Sequence, residues 1–332
     1  MPGQTMTKDP PSSARALTWR DLPLLRRYRG QALAVDTRHA TVGGSGLLAG
    51  GLLALLSPST GLAGAVAAGH NAPPLLALAE RAVEYPTASL LYLAPRQALL
   101  SDSPPALVPL IEALVAHPAL RGVHALLAEA PLHAGWSAAL REAGFRAFAR
   151  HRIWQWHPPQ ARRAATLWHW PSAEERWAAE RLYADLTPPL ARRLLPSPAA
   201  WPTTVVYTQG GQVRGVARWH TGPKGVWVWP LLHPDLESPC EPLAALAAFV
   251  RSRGRPLFFA IHDSQMWVES ALENLGATAS QPYALFARWM TVAQTVTSPA
   301  AALTLAEAPP ATLFAPRVAV PPSRYTLPFH RN

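Results

Sequence analysis

Apolar positions along this chain fall into two matching series. With Gly122 and Gly254 as a common point, 132 residues apart, the flanking sequences agree without a gap. Ahead of the first glycine, Leu107, Leu110, Ile111, Leu114 and Val115 recur at the three- and four-residue spacing of one helical face. Leu243, Leu246 and Ala247 continue that stripe in the second series. Behind the glycines, His124–Ala128 stands opposite Pro256–Ala260, short apolar runs suited to buried strands. A second helix follows in each series, with Trp136, Ala139, Leu140 and Ala143 matching Val268, Ala271, Leu272 and Leu275. Both helices stop at a glycine, Gly144 and Gly276, where a left-handed cap residue is wanted. Extended aromatic-rich segments then run over 145–156 and 277–290, and Trp154 and Trp156 alternate as a half-buried strand requires.

Upstream, the second series opens with a short strand at Leu167–Trp170 and a capping box at Ser172–Glu175 that starts a helix. Val205–Thr208, the pair Gly210-Gly211 and Val213–Trp219 predict a β-hairpin, and Thr221–Gly225 turns into a further strand, Val226–Leu232. The first series gives a looser version. It has a strand at Leu17–Trp19, a helix capped by Asp21 with Pro23 in its first turn, and an apolar hairpin over 47–68. An inserted helix near 74–84 and a strand over 88–94 complete it. Each copy thus reads strand, helical segment, three-strand meander, helix, strand, helix, strand pair, a mixed α/β (α+β) class. The expected domains are 14–157 and 164–292, followed by a proline-rich arm or tail over 293–332.

Composition narrows this picture. The 332 residues are 49% hydrophobic and only 15% charged, which excludes a disordered chain. One cysteine, Cys240, excludes an internal disulfide and any cysteine-built metal site. His117, His124 and His133 lack ligand-like spacing on one element, so no metal is expected. The net charge of +10 fits a nucleic-acid binder, but the arginines are scattered and also fit a bias towards GC-rich codons. Between Arg38 and Glu80 no Asp, Glu, Lys or Arg occurs, and Ser57–Gly61 breaks the stretch into halves shorter than the roughly 20 apolar residues of a membrane span. No cationic leader precedes an apolar run, so a cytoplasmic protein is expected. Gly43–Gly46 is glycine-rich but precedes a predicted hairpin strand, which weakens it as a phosphate loop.

The element order and the residues around Leu232–Cys240 resemble the GNAT superfamily of N-acetyltransferases, in a tandem form spanning most of 14–292. That family typically carries V-x-P-x-x-R/Q-G-x-G/A at the fourth strand and the helix after it. The resemblance implies an acetyl-CoA site there, with backbone N–H groups around the pyrophosphate. The second copy keeps Leu232-His233-Pro234, then places Glu237, Ser238 and Cys240 where Arg or Gln and two glycines belong. The first copy keeps Leu93-Ala94-Pro95 and then reaches its helix by a longer route without glycine. Carried over residue by residue, the cofactor contacts fall on Leu231, Leu232, His233, Ser238 and Cys240. The tyrosine that many members use as general acid corresponds to Leu140 and Leu272, which transfer no proton.

Glu129, His233, Asp235, His262 and Asp263 lie near strand ends where a general base could sit. The resemblance implies transfer of an acetyl group from acetyl-CoA to an unassigned amine, on a small molecule or a protein N-terminus. The losses leave an alternative, a non-catalytic ligand-binding or interaction module on the same scaffold. Charge alone leaves a third, a nucleic-acid-associated protein.

Overall fold

A computed structural model describes residues 13–43, 46–68, 72–83, 85–99, 104, 106–158, 167–197, 201–250 and 254–290. The proline-rich arm, and Gly44 and Ser45 of the glycine-rich segment, lie outside these residues.

The first half runs β1 (Ala14–Ala16), α1 (Leu22–Tyr28), β2 (Leu33–Ala34), α2 (Thr37–Val42), α3 (Leu47–Leu56), β3 (Leu62–Ala67), β4 (Leu75–Arg81) and β5 (Thr87–Ala94). It continues with α4 (Leu107–Val115), β6 (Ala125–Pro131), α5 (Trp136–Glu142) and β7 (Arg146–Trp156). The second half runs β8 (Trp168–His169), α6 (Ala173–Leu186), α7 (Pro189–Leu194), β9 (Thr204–Gln209), β10 (Gln212–Gly222) and β11 (Gly225–Leu232). Then come α8 (Cys240–Phe249), β12 (Leu257–His262), α9 (Glu269–Asn274), β13 (Thr278–Ala279) and β14 (Tyr283–Trp289).

The repeat is visible in the backbone. Gly122 and Gly254 have φ of 81° and 79°, and Gly144 and Gly276 have 87° and 80°, left-handed angles that favour glycine at matching turns. The predicted capping box forms: Ser172 accepts from the Glu175 N–H, and the Glu175 carboxylate accepts from the Ser172 N–H. Gly210 and Gly211, both at positive φ, turn the β9–β10 hairpin.

Four expectations for the first half are corrected. The first arm of the hairpin drawn over 47–68 is the helix α3, and only its second arm is a strand, β3. The run is all Leu, Ala and Gly with no β-branched residue, and Leu and Ala rank among the best helix formers. Consequently Gly46 leads into a helix and not a strand, which removes the ground on which Gly43–Gly46 was set aside. The helix near 74–84 is the strand β4, inserted between β3 and β5, where both of its faces are buried and alternation is lost. The opening strand lies at Ala14–Ala16, and Asp21 gives α1 no side-chain cap. The Asp21 carboxylate instead accepts from the Thr18 N–H and hydroxyl and from Arg15.

Twelve strands form one continuous sheet in the order β1-β3-β4-β5-β6-β14-β7-β12-β11-β10-β9-β8, with β2 beside β5 and β13 beside β7. Read outward from its centre, the order is the same in both directions, except that the final strands are exchanged. β14, from the second half, pairs with β6 of the first, and β7, from the first half, pairs with β12 of the second. β7 and β14 also pair with each other, and His151 lies directly opposite Tyr283, the residue 132 positions later. An approximate twofold axis therefore passes between these two rings, whose centroids are 5.8 Å apart. One face of the first half packs against α4 and α5, through Leu110, Ile111, Leu114 and Leu140. The equivalent face of the second half packs α8 and α9 onto Trp154, Trp156, Phe259 and Val228.

Candidate functional site

The 132-residue match puts β5 and β6 in one half, and β11 and β12 in the other, where the resemblance implies the cofactor. Both pairs are parallel, and both part towards their carboxyl ends. β5 pairs with β6 only from Thr87–Ala125 to Ser89–Leu127, and β11 with β12 only from Val226–Leu257 to Val228–Phe259. In each gap the chain itself partners a backbone group of the inner edge. In the first half, the residues around β2 enter the gap: the Val35 N–H donates to the Leu91 carbonyl, and the Val35 carbonyl accepts from the Glu129 N–H. In the second, the buried Gln265 side chain accepts from the Leu232 N–H at 2.9 Å.

The five residues that the resemblance proposes for cofactor contact follow one another along the end of β11 and into α8. Leu231 and Leu232 are buried and face opposite sides of the sheet, packing in different cores. His233 Nδ1 lies 3.3 Å from Arg214 and accepts from the Asp235 N–H. Ser238 is exposed, and the Cys240 thiol donates to the Ala271 carbonyl at 3.6 Å. At the start of α8, Pro239 and Pro242 lack an N–H, and Glu237 and Glu241 bring carboxylates. These residues do not fit a CoA pyrophosphate. Among the described residues no group of three or more His, Cys, Asp or Glu is placed to hold a metal ion. None of the helices described is long and apolar enough to cross a membrane.

The opposite face of the sheet carries a different arrangement. A chamber of about 520 Å³ lies near the approximate twofold axis, floored by β5, β6, β14, β7 and β12. Its other walls are the β4–β5 turn, Asp36 and Arg38 before and within α2, the segment after α7, and β10 and β11. Both halves build it. Val42 at the end of α2 accepts at its carbonyl from the Lys224 N–H in the β10–β11 turn, and Tyr85 donates its hydroxyl to the Arg192 carbonyl after crossing the other way.

Titratable side chains from five elements converge on this chamber. Asp36 caps α2, accepting from the Arg38 and His39 N–H groups, and receives the Arg38 guanidinium at 2.7 Å. Burial alone would raise the Asp36 pKa, but the charge of Arg38 and the nearby His39 hold it well below the carboxylate range. Glu129 accepts from the Thr37 N–H at 3.0 Å and lies 3.4 Å from His151 Nε2, a contact too poorly aligned for a hydrogen bond. The rings of His151 and His262, cross-strand neighbours, are 5.3 Å apart. Withdrawal from water, then His151 and Arg218, push His262 well below its ordinary pKa, so its imidazole is neutral at pH 7.

Arg218 on β10 is 6% exposed, with its guanidinium 4.1 Å from the ring centroids of both Trp201 and Trp229. Neither its Nε nor its Nη1 reaches an acceptor. Burial and the like charge of Arg38 lower its pKa well below the usual value.

The structure therefore brings together Glu129 and His262, two of the five strand-end candidates, and leaves His233, Asp235 and Asp263 away from the chamber lining. It adds Asp36, Arg38, His151 and Arg218. For Asp36 a sequence signal existed, since Asp followed by a short helical run is an N-cap pattern. Arg218 gave none, because in an alternating hairpin strand it reads as a solvent-facing position.

No family model matches this sequence, and no curated protein matches it either. Solved structures do. A GCN5-related N-acetyltransferase from Sphaerobacter thermophilus superposes with a TM-score of 0.46 at 13% identity, covering 84% of this chain and 95% of that one. A GNAT-family acetyltransferase from Colwellia psychrerythraea gives 0.43 at 11%, covering 84% and 100%. A tandem GNAT protein from the clavulanic acid biosynthesis pathway gives 0.43 at 12%, covering 84% and 98%. Those likenesses are distant. Each half shows the features that the resemblance implies: the strand order, the parallel pair that splays, and the helix on either side of the fifth strand.

Proposed function

We propose that this protein binds a small organic molecule in the chamber between its two halves, on a GNAT-type scaffold whose cofactor gaps are closed by the chain itself. One observation carries the reading. The Leu232 N–H and the Leu91 carbonyl, on the inner edges of the two gaps, already have partners in Gln265 and Val35, whereas Arg218 and Trp227 beside the chamber keep buried donors without partners. A volume near 520 Å³ falls within the roughly 300–1,000 Å³ of small-molecule sites. Its walls are mainly apolar, with Leu90, Leu127, Phe148 and Leu285 beside a few convergent polar groups.

Acyl transfer from acetyl-CoA to an amine is the second reading, favoured by the parting of β11 from β12 beyond Val228 and Phe259. Titration calorimetry separates the two. With acetyl-CoA at millimolar concentration no saturable heat is expected, and saturable binding restores the transferase. A thermal-shift screen of small metabolites should give stabilising ligands for the natural chain. Leu127→Trp, which narrows the chamber, should weaken those shifts, and shifts unchanged by it place the ligand elsewhere.

A further inference from the structure

Arg218 is a buried charge to which no carboxylate is hydrogen-bonded or ion-paired, Asp36 and Glu129 acting on it only from a distance. A guanidinium does not lose its proton in a protein, so burial leaves it cationic whatever its surroundings prefer. An ion taken out of water costs several kcal/mol unless it is paired and hydrogen-bonded. The nearest candidates do not meet that need. Asp36 is engaged by the Arg38 side chain through three hydrogen bonds and by two N–H groups of α2. Glu129 is held by the Thr37 N–H and faces His151. Tyr183, packed nearby, donates its hydroxyl to the Leu195 carbonyl. Trp201 and Trp229 cover Arg218 with their rings and offer it no acceptor oxygen.

A neighbouring polar group is a surplus donor too. Trp227 Nε1, a pure donor, is buried without a partner, and its residue lines the chamber. Buried donors that lack an acceptor, Arg218 Nε and Nη1 and Trp227 Nε1, are complementary to an anionic acceptor that carries one charge. A phosphate would bring nearly two charges against one, in a chamber that Glu129 also lines.

We infer that the chamber takes an organic monocarboxylate with an apolar body, its carboxylate on Arg218 and its body against Leu90, Leu127, Phe148 and Leu285. The inference rests on the small-molecule reading above and adds the ligand's charge and the residue that reads it. A carboxylate there converts an unpaired buried ion into a charge-assisted pair, the stronger kind of hydrogen bond. The two indoles fix the guanidinium plane in advance, so little is lost in ordering it.

The test uses the full-length chain and three probes of one shape: phenylacetate, its neutral isostere phenylacetamide, and phenyl phosphate. Calorimetry and thermal shift should rank phenylacetate at least about tenfold tighter than the amide, and tighter than the phosphate. Arg218→Met should erase that preference and leave the amide's affinity within roughly twofold of the natural chain's. Its melting temperature without ligand should equal or exceed the natural chain's, because an apolar side chain of similar length replaces an unpaired charge. Arg218→Lys, which keeps the charge but not the planar fork, should bind phenylacetate with intermediate affinity. Equal affinity of the natural chain for acid and amide overturns the carboxylate assignment while the binding reading stands, and tighter binding of phenyl phosphate does the same. Phenylacetate binding unchanged in Arg218→Met removes Arg218 from the site. If no probe binds at millimolar concentration, and the Leu127→Trp comparison shows no chamber ligand, both fall together.

Discussion

At the scale of single residues, the chamber wall is organised by Asp36. One carboxylate caps α2, pairs with Arg38 and stands 3.4 Å from His39 Nδ1, so its loss leaves a partly buried guanidinium unbalanced. Asp36→Asn should therefore destabilise the chain by about 3 kcal/mol near neutral pH, read as a shift in the urea midpoint. The sign with pH follows from the depressed carboxyl. Its folded-state pKa lies below the unfolded one, so the contribution is complete above about pH 4 and fades as pH falls further. The gap between natural chain and variant should close in acid, and a constant gap would mean that Asp36 acts by packing alone. Residue-scale chemistry was partly legible beforehand. Glu129 and His262 were accessible to reading because strand ends are where side chains reach a cleft. His151 and Arg218 were not, since each sits inside a strand whose buried face is decided by elements more than 100 residues away, such as α2 over β10 and β11.

At the scale of elements, the close approach of α2 to the β10–β11 hairpin depends on one turn. A Cβ on Gly222 would stand 2.3 Å from the Val42 carbonyl oxygen, a backbone atom that cannot move aside without shifting α2. A Cβ on Gly51 would stand 2.7 Å from Leu25 Cδ2, the far end of a flexible side chain, and alanine there also improves helix propensity. Gly222→Ala is expected to cost about 2 kcal/mol and weaken any chamber ligand, while Gly51→Ala should stay within about 1 kcal/mol of neutral. Denaturant titration of both variants checks the ranking, and equal effects would show that the turn yields. The start of α6 and the strands β9, β10 and β11 were read almost to the residue, because Ser172 and Gly210-Gly211 mark their ends with explicit start and turn chemistry, whereas α7 went unread. The first half lacks such marks between Leu47 and Arg81. Runs built from Leu, Ala and Gly carry no periodicity that distinguishes a buried helix from a buried strand, so α3 and β4 were read in each other's form.

At the scale of the whole molecule, the exchanged strands make each half structurally incomplete. Without β14, the first half has an open edge at β6 and loses the strand that carries Phe286 into its core. A polypeptide of residues 14–157 alone should give a molten or aggregated product. The same piece co-expressed with 164–292 should yield a soluble pair, and circular dichroism with gel filtration distinguishes them. Independent folding of 14–157 would show that its sheet closes without β14. This exchange was invisible in the sequence, because a repeat states which segments are equivalent and not which copy each one joins.

The pairing of His151 with Tyr283 has a consequence for stoichiometry and for drift. In a dimer of identical chains, positions facing each other across a twofold axis are one residue seen twice, and any change at one is imposed on the other. Fused in one polypeptide, the two positions are separate characters, and here they already differ: an imidazole within reach of Glu129 on one side, a phenol on the other. Such a centre can become one-handed. It can hold a single lopsided guest per chain, where a symmetric ancestor of the same shape could offer only paired or self-mirroring places.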